Sequence, residues 1–199
     1  MWWFVLTASA GVPAGLLPAL APWDAPEQYA AHAEASGLDD ALVCEPVLPG
    51  EARLCLKVQE EKRRRWVTTK DLARWGAAPR ALFDHLRAEA RKHPLEIERV
   101  GIEDMDSHYA RLRDGDGWAA VAVLAPERLA EVLGGPPILL GVPVDGVAMA
   151  WKPGAEEVDR VMLIGVREVY AGMPGGITPA VYAWSDQGFT LFGRAEPKP

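Results

Sequence analysis

Hydrophobic and polar residues recur along this chain with the spacings of short strands and of amphipathic helices. Helical spacing, together with capping residues such as Thr68, predicts helices at residues 24–37, 69–75, 79–92, 126–133 and 156–171. Partial alternation predicts a half-exposed strand at 95–102, and an apolar run predicts a buried strand at 2–7. The chain therefore mixes helices with short strands.

Four pairs of strand-like segments surround turn sequences, and each pair predicts a β-hairpin. The pairs are 42–48 with 53–59, 109–113 with 118–124, 138–144 with 147–151, and 181–184 with 189–192. Glycines in the last three turns tolerate positive φ, which such turns require. Because the hairpins lie between helices without a regular βαβ repeat, we expect an α+β fold. Its sheet is mixed or mainly antiparallel, built from hairpins, with helices packed on one face.

The first hairpin also relates the two cysteines to each other. In a symmetric hairpin the paired residue numbers sum to 99, so Cys44 lies directly opposite Cys55. Opposed residues of an antiparallel pair lie within disulfide range. A cross-strand thiol pair is therefore one interpretation. Two reduced, buried thiols are the alternative, and this alternative is favoured in a cytoplasmic protein.

The first 21 residues are apolar and uncharged, which raises the question of export. A secretory signal needs a basic start, whereas the first basic residue here is Arg53. Glycines and prolines at positions 11, 13, 15 and 18 also interrupt any helix that could span a bilayer. We predict a cytoplasmic location, with export through the apolar N-terminus as the alternative.

Composition and charge limit the classes of partner. The 199 residues are 49% hydrophobic and 25% charged, which is typical of a globular protein. The net charge of −7 opposes binding to nucleic acid or to an anionic membrane, both of which select an excess of Lys and Arg. The charged run at 60–65 is interpreted as a solvated strand edge or loop, with an anion-binding patch as the alternative.

The densest acidic cluster is the strongest candidate for chemistry. Carboxylates beside a histidine can hold a divalent metal or transfer protons. The candidate ligands are Asp104, Asp106, His108, Asp114 and Asp116. Solvated loop acids are the favoured interpretation, because the calcium-loop pattern is missing. The catalytic residues are unknown and no cofactor is predicted, since zinc, phosphate-loop and nucleophile-elbow motifs do not occur.

Tryptophan is abundant, with eight residues, and most of them are expected in the core. Trp66, Trp118 and Trp151 are the candidates for a binding surface, because an indole joins a large apolar ring to one hydrogen-bond donor.

From about residue 62 to residue 193, the order of the predicted helices and strands resembles that of a known protein family. The run Arg65-Trp66-Val67-Thr68 leads into a helix pair, and a strand ending at Pro143 precedes a long helix. This segment resembles the YtpQ-like family, bacterial proteins with a domain of unknown function. The resemblance implies an α+β domain at 62–199, and residues 1–61 are then an N-terminal strand, helix and hairpin extension packed on the core. The family supplies no enzymatic activity, so it assigns no functional residue.

Three functions follow as hypotheses. The leading one is a non-catalytic, cytoplasmic protein-binding module, such as an immunity-type or regulatory partner, because an acidic surface attracts a basic protein. The alternative is a metal-assisted hydrolase that uses residues 103–108. The second alternative is a small-ligand-binding protein with a Trp-lined pocket. We expect another protein as partner, and neither nucleic acid nor membrane; the oligomeric state is not predicted.

Overall fold

A computed structural model describes residues 12–36, 39–61, 63–102, 105–113 and 120–195. The strand predicted at 2–7 and the turn predicted at 114–117 lie outside these residues. The described chain contains, in order, β1 (Leu16–Pro22), α1 (Ala25–Ala35), β2 (Cys44–Leu48), β3 (Ala52–Glu60), β4 (Arg63–Trp66), α2 (Thr69–Trp75), α3 (Pro79–Ala90), β5 (Ile97–Gly101), β6 (His108–Arg113), α4 (Val121–Leu124), α5 (Glu127–Val132), β7 (Ile138–Val144), β8 (Val147–Trp151), α6 (Glu156–Gly172), β9 (Ala180–Ser185) and β10 (Gly188–Arg194).

The strands form two antiparallel sheets. In the smaller sheet, β3 is central: β1 pairs along one side, and β2 and β4 pair with successive halves of the other side. The larger sheet has six strands in the order β10-β9-β7-β8-β6-β5. The α+β class and the antiparallel pairing are therefore confirmed, although the strands divide into two sheets.

Helices cover both faces of the larger sheet. Leu139 and Trp151 pack against Met162 of α6 on one face. Ile138 and Leu140 belong to the main core, which also contains residues of α3, α4 and α5. Every residue of β7 is buried, so this strand presents apolar side chains on both faces of the sheet. None of the described helices is both long and apolar enough to cross a membrane.

The smaller sheet continues through the expected domain boundary. The antiparallel pair β3–β4 crosses residue 62, with Glu60 opposite Arg63. Leu54 and Leu56 of β3 share one hydrophobic core with Leu82 of α3. The boundary expected between residues 61 and 62 therefore falls inside a β-hairpin.

The prediction of a hairpin between 109–113 and 118–124 was wrong, because residues 121–124 are not a strand. Val121–Leu124 forms a helix, α4, and all four of its residues are buried. Both sides of β6 are already occupied, by β5 and by β8. No side of β6 is left for a hairpin partner. A short apolar run without alternation fits a buried helix as well as a buried strand.

Side chains near the end of β10 link the two sheets. The Tyr182 hydroxyl donates to the Pro49 carbonyl at 3.2 Å, and burial raises the pKa of Tyr182 to about 12. The Thr178 hydroxyl donates to the Glu51 carboxylate at 2.7 Å. Arg194, the last residue of β10, forms an ion pair with the same carboxylate. The C-terminal end of β10 is therefore held against the smaller sheet.

Candidate functional site

The predicted metal cluster is only partly described. Asp106 is exposed, and Nδ1 of His108 lies 3.1 Å from Nη2 of Arg99. Asp104, Asp114 and Asp116 lie outside the described residues. Within the described part of the chain, no three His, Cys, Asp or Glu side chains lie together as metal ligands. The metal site therefore stays a prediction from sequence.

The three candidate tryptophans have different positions. Trp151 is fully buried and its indole N–H donates to Oδ1 of Asp159 at 2.8 Å, so it is a core residue. Its prediction as a binding residue was wrong, because no face of the ring reaches the surface. Trp66 is half-buried, and the Lys57 ammonium lies 4.3 Å from its ring centroid. Trp118 lies outside the described residues.

The two cysteines meet in the register expected from the sequence. Cys44 of β2 is opposite Cys55 of β3, and a single register shift follows between Pro46 and Leu48. The two sulfurs form a disulfide. The favoured expectation of two reduced thiols was wrong, because directly opposed side chains of an antiparallel pair lie close enough to bond.

A cleft of about 530 Å³ opens where α1, β4 and α2 approach each other. Most of the residues that line it carry a polar or charged group; the lining residues are Tyr29, Asp40, Arg64, Arg65, Trp66, Thr68, Lys70 and Asp71. Sequence reasoning found the Thr68 cap and the charged run at 60–65. It missed Tyr29 and Asp40, because only the tertiary fold brings them to α2.

Asp71 is the centre of the polar network in this cleft. Its carboxylate accepts from Nη1 of Arg65 at 2.5 Å and from Nη2 at 3.0 Å. Arg74 donates to the same carboxylate at 2.6 Å. The backbone N–H of Thr68 donates to Asp71 at 3.1 Å and completes a capping box at the start of α2. Arg65 also donates to Glu60 at 2.6 Å. The hydrogen bonds between Arg65 and Asp71 connect β4 to α2.

The network holds Asp71 in its ionised form. Burial of the carboxyl opposes ionisation, but the hydrogen bonds from Arg65 and from the Thr68 N–H outweigh that cost. The positive charges of Arg65 and Arg74 act in the same direction, so the pKa of Asp71 is lowered. Asp71 is therefore an ionised acceptor that is already engaged by protein donors.

Asp40 has a similar role on the other side of the cleft. Its Oδ1 accepts from the Ala41 N–H and from the Thr69 hydroxyl, both at 3.0 Å, and from the Lys70 N–H at 3.3 Å. Burial opposes ionisation of Asp40, but the hydroxyls of Thr68 and Thr69, followed by the N–H groups of Lys70 and Ala41, outweigh it and lower the pKa of Asp40. Burial, followed by the charges of Asp40 and Asp71, raises the pKa of Tyr29. The phenol in the cleft is therefore neutral at pH 7.

A second surface of interest is the free edge of the larger sheet. No described strand pairs with the outer side of β10. The side chains of Leu191 and Phe192 on this strand are 57% and 43% exposed. All exposed large hydrophobic residues in the described chain lie on α6, on the residue that follows it or on β10; they are Val161, Ile164, Tyr170, Met173, Leu191 and Phe192. The sequence predicted the strand but not its edge position.

The opposite edge of the same sheet has a different chemistry. There, Glu98 of β5 accepts from Nη2 of Arg111 at 2.6 Å, and Arg99 is exposed beside it. The segment Gly188–Gly193 of β10 contains no charged residue. The two edges therefore differ in their exposure of apolar side chains and in their charge.

Comparison with known proteins assigns no relative to this chain. No family model matches it, and no curated protein or solved structure matches it either. The resemblance to the YtpQ-like family therefore stays a prediction from sequence.

Proposed function

We propose that the protein is a non-catalytic protein-binding module that pairs the free edge of β10 with an extended segment of a partner protein. The observation that carries this proposal is the exposure of Leu191 and Phe192 on an edge strand. An edge strand offers unpaired N–H and C=O groups, and its exposed apolar side chains add contact area. Exposed apolar residues of this kind are typical of interaction sites.

The contrast between the two sheet edges supports the same proposal. Proteins protect sheet edges from unwanted pairing with charged side chains, as β5 does with Glu98 and Arg99. The edge of β10 lacks such charges from Gly188 to Gly193. The register of β10 shifts between Leu191 and Gly193, but no charged side chain protects this part of the edge, and that lack of charge favours a role in pairing there.

Charge favours a basic partner over a second copy of the chain. Two copies that each carry a net charge of −7 repel one another, whereas a basic protein is attracted. Helix α6 contacts β10 and carries the exposed acids Glu156, Glu157 and Glu168. We expect a partner segment that alternates apolar residues with Lys or Arg. An immunity-type or regulatory protein that neutralises a basic partner is the sharpest form of this proposal.

The experiment compares matched substitutions at the two edges. Leu191→Asn on β10 and Val100→Asn on β5 each replace an apolar edge residue by the same neutral polar one. We expect wild type and Val100→Asn to capture the same basic protein from extracts of the native host, and Leu191→Asn to lose it. Hydrogen exchange on the purified complex should then show new protection of the β10 amides.

The salt dependence of capture provides an independent check. Electrostatic attraction weakens as ionic strength rises, so capture of a basic partner should fall between low and high salt. Failure to recover any partner, or equal capture by all three proteins, would contradict the proposed role of β10. Purified variants with the same melting temperature as wild type exclude misfolding as the cause.

The cytoplasmic location is also a proposal, and the disulfide favours its alternative, export. Disulfides persist in oxidising compartments and are rare in the reducing cytoplasm. Rapid alkylation of thiols in intact cells distinguishes the two locations. Alkylated Cys44 and Cys55 would support the cytoplasm, whereas protection from alkylation until a reductant is added would support export.

A further inference from the structure

We propose that the cleft between α1, β4 and α2 binds a small molecule through its carboxylate or phosphate group, with Lys70 and Tyr29 as the donors. This site is separate from the edge of β10, and it carries its own test. The proposal rests on which hydrogen-bonding groups of the cleft are engaged by the protein and which are not.

Both oxygens of Asp71 and one oxygen of Asp40 are occupied acceptors. Asp71 accepts from Arg65, Arg74 and the Thr68 N–H, and Oδ1 of Asp40 accepts from the Ala41 N–H and from two donors at the start of α2. A cationic ligand that binds these oxygens would have to displace the protein donors. The first two N–H groups of α2 donate to the Ala41 carbonyl and to Asp40, so the start of this helix is not available to an anion.

Two donors of the cleft have no such partner. Among the residues that the structure describes, neither the Lys70 ammonium nor the Tyr29 hydroxyl takes part in a hydrogen bond or ion pair. An ammonium has three N–H donors and no acceptor, and a neutral phenol has one O–H donor. The cleft therefore offers donors to a ligand that is rich in acceptors.

Charge selects an anion among such ligands. Three cationic residues line the cleft, Arg64, Arg65 and Lys70, against two carboxylates, so its formal charge is 3 − 2 = +1. The whole chain carries −7. A positive cleft in an acidic protein concentrates small anions, because the negative charges elsewhere on the surface repel them. The volume of about 530 Å³ lies within the range of small-molecule sites.

The experiment uses inorganic phosphate and acetate as probes of the full chain. ¹⁵N-labelled protein is titrated with each anion, against sodium chloride at the same ionic strength. We expect chemical-shift changes at the amides of residues 29, 40 and 65–71 with phosphate or acetate, and smaller ones with chloride. Lys70→Ala should weaken phosphate binding about tenfold, and Tyr29→Phe should weaken it less, because a charged donor contributes more than a neutral one.

Lys92→Ala is the matched control, since Lys92 is an exposed lysine at the end of α3 outside the cleft. It should bind phosphate as wild type does. The proposal is overturned if phosphate and acetate give no more than the chloride response, or if Lys70→Ala and Lys92→Ala have the same affinity. Neither result bears on pairing at β10, because the Leu191→Asn variant leaves the cleft intact.

Discussion

The Asp71 side chain shows how one buried charge organises its surroundings. Only 8% of this side chain is exposed, and its two oxygens accept from Arg65, from Arg74 and from the backbone of Thr68. A charge in such a position is stable only when it is paired and hydrogen-bonded. Its removal should therefore affect both the start of α2 and the attachment of β4.

We expect Asp71→Asn to lower the free energy of unfolding by about 2 kcal/mol, because it removes the charge that Arg65, Arg74 and the Thr68 N–H share and weakens the capping box. Urea denaturation at pH 7 measures this loss. Asp84→Asn is the control, since the Asp84 carboxylate is 60% exposed and forms surface ion pairs with Arg80 and Arg87. Surface pairs contribute little, so the control should lose less than about 0.5 kcal/mol.

The pH dependence of the Asp71→Asn effect follows from the lowered pKa of Asp71. The stabilisation is fully present above the pKa of an unfolded aspartate, about 3.9, and is lost as pH falls through the lower pKa of the folded state. The difference in stability between wild type and Asp71→Asn should therefore shrink on acidification below pH 4. A difference that stays constant down to pH 2 would contradict the role assigned to this carboxylate.

At the scale of elements, the sequence predicts correctly those helices and strands whose bounds are marked by a neighbouring cap or turn residue. Helix α2 and the pair β7–β8 have the bounds expected from their cap and their Asp145-Gly146 turn. Residues 120–124 were misassigned because their helical state depends on β6 having two other partners. The division into two sheets depends on pairings between strands far apart in sequence, for which no local pattern exists.

The same distinction applies to the candidate sites. Thr68 and the charged run were recognised because capping residues and charges are visible within a few positions. Tyr29 and Asp40 reach the cleft from another part of the chain, so only the fold identifies them. The free edge of β10 was equally hidden, since a strand's own residues do not show whether another strand pairs beside it.

The hairpin of β2 and β3 provides a prediction about covalent stabilisation. The disulfide joins residues that are 11 positions apart, and closing a loop of this size restricts the unfolded chain. We expect the double substitution Cys44→Ala with Cys55→Ala to lower the stability by about 3 kcal/mol. Urea denaturation with and without reductant measures this difference.

Treatment with reductant separates the effect of losing the disulfide from the effect of replacing the two side chains. It should destabilise wild type by a similar amount and leave the double variant unchanged. A thiol titration of the oxidised, denatured protein should find no free thiol at Cys44 or Cys55. Two free thiols in that titration would show that the pair is reduced.

The packing of α6 on β7 depends on the absence of a side chain at Gly141. A Cβ atom at this position would lie 2.5 Å from Cγ2 and 3.1 Å from Cγ1 of Val166. Val166 is fully buried, and the β-branched side chain has little freedom to rotate in a helix. We expect Gly141→Ala to cost about 1–3 kcal/mol in thermal or urea unfolding, because α6 must move away from the sheet.

A second substitution and a control separate this clash from other effects of alanine. Val166→Ala creates room, so the double variant should lose less stability than the sum of the two single losses. Gly101→Ala on β5 has no atom within 4 Å of the added Cβ and should be nearly neutral. Additive losses at Gly141 and Val166 would contradict the close packing of β7 against α6.

At the scale of the whole molecule, net charge and the free sheet edge act against each other. A charge of −7 keeps copies of the chain apart at pH 7, whereas the exposed edge of β10 favours pairing. Near the isoelectric point, about 5.2, the repulsion disappears. We therefore expect concentration-dependent self-association at pH 5 that is weaker at pH 7, as measured by sedimentation velocity.

Substitutions of equal charge show whether this association uses β10. Leu191→Lys places a charge on the free edge, while Gln28→Lys adds the same charge on exposed α1. Both raise the isoelectric point by the same amount, so any difference between them comes from the position of the lysine. Leu191→Lys should reduce the association at pH 5 well below the level of Gln28→Lys. If the two variants associate equally, net charge alone governs self-association, and β10 is not the surface through which copies of the chain meet.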